Sequence, residues 1–233
     1  MKKQSGYRGH RFPQEIISHA VWLYHRFCLS FRDIEDLLAE RGVVVSYESI
    51  RQWCLKFGRH YAKQLRKRQG RLGDTWYMDE LTIITVQGER HYLWRAVDQD
   101  NNVIDILVQK RKDKQAAKRF FRKMLKKQSQ SPRRMITDKL KSYGAARREV
   151  MPSVVHCQKR RANNRAEASH QHTRQRERQM RRFKSSGHAQ RFLAIHSAVH
   201  NLFRIGRHLL RARHYRSFRS QAFSSWQQVT CVC

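Results

Sequence analysis

The stretch Trp76-Tyr77-Met78-Asp79-Glu80-Leu81-Thr82-Ile83-Ile84-Thr85-Val86 restricts the fold more than any other part of the chain. Its aromatic and β-branched residues read as a buried strand, and an acid stands in its middle. A carboxylate removed from water needs a cation beside it. The chain sets 50 Lys+Arg against 18 Asp+Glu, a net charge of +32. That cation is therefore either a neighbouring base or a divalent metal shared with other acids.

The same excess of base makes a polyanion the expected partner, with nucleic acid first. A membrane surface fits less well, because no segment has the aromatic-plus-Lys pattern of an interfacial anchor. No apolar run approaches the roughly 18 residues of a membrane span. Hydrophobic residues make up 39% of the 233, with five Trp, enough for a real core. The five Cys, at 28, 54, 157, 231 and 233, have no metal-ligand spacing beyond the terminal Cys231-Val232-Cys233. An odd, scattered set suits reduced thiols. Met1 to Phe12 is basic without an apolar core, so no secretion signal is read and a cytoplasmic location is expected.

Read in order, residues 1–58 form an all-α unit. Phe12-Pro13 opens a helix bearing Ile16, Ile17, Ala20, Val21, Leu23, Tyr24 and Phe27 at helical spacing. Ser30-Phe31-Arg32-Asp33 resembles a capping box and starts a second helix, which Gly42 stops. Ser46 caps a third, with Ile50, Trp53, Cys54 and Phe57 inward and Arg51, Gln52 and Lys56 outward. Two short helices with Arg and Gln on the exposed side of the second fit a helix-turn-helix that reads DNA. The alternative is a plain three-helix unit with a solvated polar face. Residues 59–74, including Lys67, read as a basic linker that either is merely solvated or touches phosphates.

From residue 75 the period changes to that of strands. Trp76–Val86, His91–Val97 and Val103–Val108, joined by turns at Gly88 and at 98–102, make an antiparallel meander. A helix from Asp113 to Lys127, a strand Arg134–Asp138, a helix Lys139–Arg148, a strand near Val154 and further helices to Arg213 follow. This is the order of a ribonuclease-H-like α/β domain over 75–213, leaving 214–233 as a tail.

Asp79 lies within the first strand and Asp138 ends the fourth. In this strand order the two are neighbours, and Glu167, early in a later helix, completes a set of three carboxylates. Such a set suits a pair of Mg²⁺ ions, which prefer oxygen ligands, and two-metal sites serve phosphoryl transfer. Each acid also has a plainer reading: Asp79 as a paired strand acid, Asp138 as a helix cap. Glu80, on the opposite strand face, reads as a surface or salt-bridge acid. Glu177 lies ten residues beyond Glu167, about 15 Å away along the axis if both stand on one helix. One compact site cannot use both, and Glu177, amid Arg176, Arg178 and Arg181, reads as an ordinary surface pair.

Trp76-Tyr77-Met78-Asp79-Glu80, Ile136-Thr137-Asp138-Lys139, Ser142-Tyr143-Gly144 and Asn163-Asn164-Arg165-Ala166-Glu167 resemble bacterial DDE-type insertion-sequence transposases. The nearest branch is the insertion-sequence six family, and the likeness extends to Arg41-Gly42-Val43 and Tyr47 to Trp53. The resemblance implies that Asp79, Asp138 and Glu167 are the catalytic, metal-binding triad and that Arg174 is the basic residue downstream of the Glu. It also implies Mg²⁺, with Mn²⁺ as substitute, and a homo-oligomer near the nucleoid. Such a protein would bind the element's terminal inverted repeats, free 3′-hydroxyls and join them to target DNA. A helix-turn-helix regulator, or a nuclease of the same fold that does not join, are the alternatives.

If Arg51 and Gln52 read base edges, Ala at either position relaxes sequence preference at one or two base pairs, at about 1–3 kcal/mol each. Lys67→Ala instead weakens cognate and random DNA alike and flattens the salt dependence. Binding titrations on both DNAs, across salt concentrations, separate the two effects.

Overall fold

The computed structural model describes residues 6–70, 72–159 and 161–231. Cys233 of the terminal Cys pair and Arg71 of the expected linker lie outside the described residues. The chain divides into two compact units, one of residues up to Gln69 together with those from Ile195, the other Gly70–Ala194.

The helical unit opens with α1 (Gln14–Arg26), α2 (Phe31–Ala39) and α3 (Tyr47–Arg68). The capping box is present. Ser30 Oγ accepts from Asp33 N at 3.1 Å, and Asp33 Oδ2 accepts from Ser30 N at 2.7 Å, filling two donors that a helix start leaves open. Gly42 stops α2 at a φ of +74°, a conformation that costs glycine little. Ser46 Oγ caps α3.

Two boundaries differ from the sequence reading. The basic stretch expected as a linker from residue 59 is helical as far as Arg68. Tyr61, Ala62 and Leu65 are buried and prolong the stripe of Ile50, Trp53, Cys54 and Phe57 at helical spacing. Arg59, Lys63 and Lys67, four residues apart, form its solvated side. The tail is helical too. After α8 (Ser186–Phe203), α9 (Ala212–Thr230) belongs with the helical unit. Trp226 meets Tyr61 edge-on at 5.4 Å, and Phe223 lies 5.3 Å from Trp22. The Tyr7 hydroxyl donates to the Thr230 carbonyl at 2.9 Å. The sheet unit therefore closes at Ala194, not at Arg213, because the apolar side of the last helix finds its cover on α1 and α3.

The sheet unit follows the order expected of a ribonuclease-H-like α/β domain. β1 (Thr75–Ile84), β2 (Arg90–Asp98) and β3 (Val103–Gln109) form the antiparallel meander. Asp98 closes the second turn, accepting from Asp100 N and Asn102 N. Parallel pairing needs a crossover, supplied by α4 (Lys114–Gln128), which Asp113 caps at 2.8 Å. β4 (Arg134–Thr137), α5 (Lys141–Val150) and β5 (Val155–Cys157) follow, in the strand order β3-β2-β1-β4-β5. Successive strand residues face opposite sides. Trp76 and Met78 enter a core with Trp94 of β2, Phe120 and Phe121 of α4 and Tyr143 of α5. Tyr77 and Asp79 face the other side, toward α6 (Asn164–Ser169) and α7 (Gln171–Gln179).

Phe120 is fully buried, 6.2 Å from the Trp94 ring. Phe120→Ala should lower stability by about 3–5 kcal/mol, read as a fall in the denaturant midpoint at unchanged slope.

Candidate metal centre

The site arises from strand register. The parallel ladder pairs Thr75 with Arg134, Trp76 with Met135, Tyr77 with Ile136 and Met78 with Thr137. Its next step would pair Asp79 with Asp138, and there β4 stops. One ligand oxygen from each of Asp79, Glu80 and Asp138 lies within 4.8 Å of the others.

Each acid is held differently. Asp79 Oδ1 accepts from Glu80 N at 2.9 Å, and Oδ2 lies 3.3 Å from His170 Nε2. Asp138 Oδ1 accepts from Leu140 N at 3.0 Å, an Asx turn. The residue at the N-cap of α5 is Leu140, so Asp138 is not a helix cap. Thr137 Oγ1 and Gln158 Nε2 both donate to the Asp138 carbonyl. The Glu80 side chain is only 2% exposed and pairs with Lys112.

The expectation of a surface position for Glu80 is thus corrected, while that of a salt bridge stands. Its strand face is covered by α5, where fully buried Tyr143 stands beside it. Burial pushes the Glu80 carboxyl up, the negative charge of Asp138 adds to this, and Lys112 and Tyr143 oppose it. For Lys112, burial works downward, but pairing with Glu80 and the charges of Asp138 and Asp79 raise its pKa.

Glu167 is exposed and stands outside the 4.8 Å group among the described residues. Its helix is nevertheless tied to β1 at its start, where Asn163 Nδ2 donates to the Met78 carbonyl at 2.9 Å, and at its end His170 Nε2 lies 3.3 Å from Asp79. Asn163, Glu167 and His170 are spaced four and three residues apart, so they share one side of the helix. Sequence reasoning missed the roles of Asn163 and His170, although that spacing was there to find. Lys112 left no such signal, because one Lys among 50 Lys+Arg carries no pattern.

Arg174 donates to the Thr82 carbonyl at 3.1 Å and lies 3.4 Å from Glu177, with its side chain 44% exposed. Glu177 is no surface pair. Its side chain is 11% exposed, and it also accepts from the Ile84 backbone. It fastens α7 to β1.

In the helical unit, Arg51 donates through Nε and Nη2 to Glu48 at 2.8 and 2.7 Å, and Gln52 donates to the same carboxylate at 2.8 Å. Both are pre-ordered on the outer side of α3. Lys56 Nζ lies 2.8 Å from His10 Nε2, and Lys67 is exposed in the last turn of α3.

The acid cluster offers oxygen donors alone, and Glu80 Oε2 is buried without a hydrogen bond of good geometry. A hard divalent cation suits such a set. A mixed sheet with helices on both faces and carboxylates gathered at the β1/β4 end makes an α/β domain whose acid cluster fits a divalent metal. The comparisons narrow this. Residues 73–205 match the family described as the DDE domain. The transposase for insertion sequence-like element IS431mec of Staphylococcus aureus is 31% identical over 171 residues, 71% of this chain and 75% of that one. The transposase for insertion sequence element IS257 in transposon Tn4003, also from Staphylococcus aureus, is 30% identical over the same shares.

A solved structure, the simian T-cell lymphotropic virus intasome in complex with PP2A regulatory subunit B56 gamma, aligns at 14% identity. It covers 59% of this chain and 52% of that one at a TM-score of 0.39, a likeness too weak to add to the assignment. The chain belongs to the DDE-type transposases of the insertion-sequence six family. Among the described residues no helix is long and apolar enough to cross a membrane.

Burial raises the Glu177 pKa despite Arg174. The folded state therefore binds this proton more tightly than the unfolded chain, and its contribution to stability falls as pH rises above the ordinary Glu value of about 4.3. Glu177→Gln removes the titration. Relative to that variant, wild type should lose melting temperature from acid toward neutral pH, as parallel thermal scans would record.

Proposed function

We propose that this transposase binds the terminal inverted repeats of its element, cleaves the DNA to free 3′-hydroxyls, and joins these to target DNA. The observation that carries the reading is the meeting of Asp79 and Asp138 one register step beyond the β1/β4 ladder. Glu167 is the third ligand in this reading, supported by the Asn163 hydrogen bond that ties its helix to β1 and by the approach of His170 to Asp79. Asp79, Asp138 and Glu167 would hold a pair of Mg²⁺ ions, or Mn²⁺ in their place. When bound, such ions activate the attacking oxygen and stabilise the leaving one.

The chain's own residues do the rest. In the first step a water oxygen bonds to phosphorus and the 3′-oxygen leaves as a hydroxyl. In the second, that hydroxyl oxygen bonds to a target phosphorus and a target 3′-oxygen departs. Neither step needs a covalent enzyme intermediate, so the protein's task is placement. Arg174, still 44% exposed beside β1, is placed to hold a DNA phosphate. Arg51, Gln52 and Lys56 on α3 would read the repeat, and Lys67 would contact its backbone. Two ends must be brought together, which favours a homo-oligomer. The site of action would be the cytoplasm, on the nucleoid.

A strand-transfer assay with a labelled terminal repeat tests the reading. Joined product supports it, cut but unjoined product indicates a nuclease, and binding alone indicates a regulator. Asp79→Asn and Asp138→Asn should each abolish cutting and joining while repeat binding is kept or tightened, since a negative charge facing phosphate is removed. Glu167→Gln should be inactive with Mg²⁺ or Mn²⁺, whereas Glu177→Gln keeps most activity. An active Glu167→Gln would remove Glu167 from the triad.

A further inference from the structure

Lys112 lies on the link between β3 and α4, next to the Asp113 cap that fixes where the helix begins. Its ammonium pairs with Glu80, whose side chain is buried, while 35% of the lysine side chain stays exposed. Glu80 is only one of its anions. The charges of Asp138 and Asp79 also act on it, and the three carboxylates are mutually within 4.8 Å. The lysine thus stands beside the acid cluster, paired with Glu80 on the α5 side of the sheet, opposite the side from which His170 approaches Asp79.

We propose that Lys112 is the resident counter-cation of the acid cluster, a positioning residue whose charge sets how tightly Asp79 and Asp138 take up a divalent ion. This rests on reading the cluster as a metal centre. Without metal, carboxylates this close repel, and the ammonium offsets one of their charges. A divalent ion entering the cluster must share those anions with the ammonium and meets its repulsion. Removing the lysine therefore acts in opposite directions on two properties: metal binds more tightly, and the metal-free protein becomes less stable. A lysine that merely propped Glu80 in place would act in one direction, and its loss would loosen both.

The test uses the full chain without DNA. Mn²⁺ binding is followed by the loss of the free-ion paramagnetic signal, and melting is followed in chelator. Lys112→Met should bind Mn²⁺ about five- to tenfold more tightly and melt lower in chelator, as expected for removal of one nearby positive charge. Lys112→Arg should match wild type in both. The charge-balanced double variant Lys112→Met/Glu80→Gln should return to within about twofold of wild type, the coupling expected of groups in contact. That double variant also carries the test if Lys112→Met alone does not fold. Unchanged or weaker Mn²⁺ binding by Lys112→Met, or a double variant as weak as Glu80→Gln alone, overturns the proposal. If wild type binds no more Mn²⁺ than Asp79→Asn/Asp138→Asn, the metal-centre reading itself falls, and the proposal with it. Wild-type binding with no gain in Lys112→Met overturns the proposal alone.

Discussion

Like charges crowded at the end of a strand pair are what the sheet unit has to contain. Asp79, Glu80 and Asp138 present oxygens within 4.8 Å of one another. At an effective dielectric of about 20, two unit charges at such a distance repel by roughly 3 kcal/mol. That is a sizeable part of the about 5–15 kcal/mol by which a typical domain is stable. The cluster persists because each acid is secured from a different direction. Glu80 is paired with Lys112, Asp138 is turned onto the Leu140 amide, and Asp79 accepts from the Glu80 amide beside His170. The same crowding gives a divalent cation its reason to bind.

The geometry of β1 makes this possible. β4 ends at Thr137, so β1 runs on without a parallel neighbour beyond Met78. Alternation then sends Asp79 toward α6 and Glu80 toward α5, and Asp138 meets both where β4 gives out. On the Asp79 side the covering helices are fastened at intervals. Asn163 holds the Met78 carbonyl, Arg174 the Thr82 carbonyl, and Glu177 the Ile84 amide. These contacts fix the approach of α6 and α7 to the strand bearing Asp79.

The distribution of charge follows the same logic on a larger scale. No acid occurs after Glu177, and in α3 and α4 the basic residues line helical sides whose opposite sides are apolar and buried. In α3, Arg59, Lys63 and Lys67 face solvent while Tyr61, Ala62 and Leu65 enter the core. A surface of this kind attracts phosphate along its length. Among the acids, Asp33 and Asp113 cap helices, Asp98 closes a turn, Asp105 and Glu149 pair with Lys, and Asp79, Glu80 and Asp138 gather at the β1/β4 end.

The sequence by itself determined the meander, the capping box at Ser30 and the nearness of Asp79 to Asp138. Each is written in local period or in strand order, which short-range sterics and burial enforce. It also carried the family likeness. It did not reveal that α3 continues through the basic run or that α9 joins the helical unit, because Lys and Arg density hides an apolar stripe whose cover is distant in the chain. Nor did it reveal Lys112 beside Glu80, or Glu177 as a buried fastener. Those depend on which side chains the tertiary structure brings within a few ångströms of a buried carboxylate, and burial, not residue type, decides what such a charge must pair with.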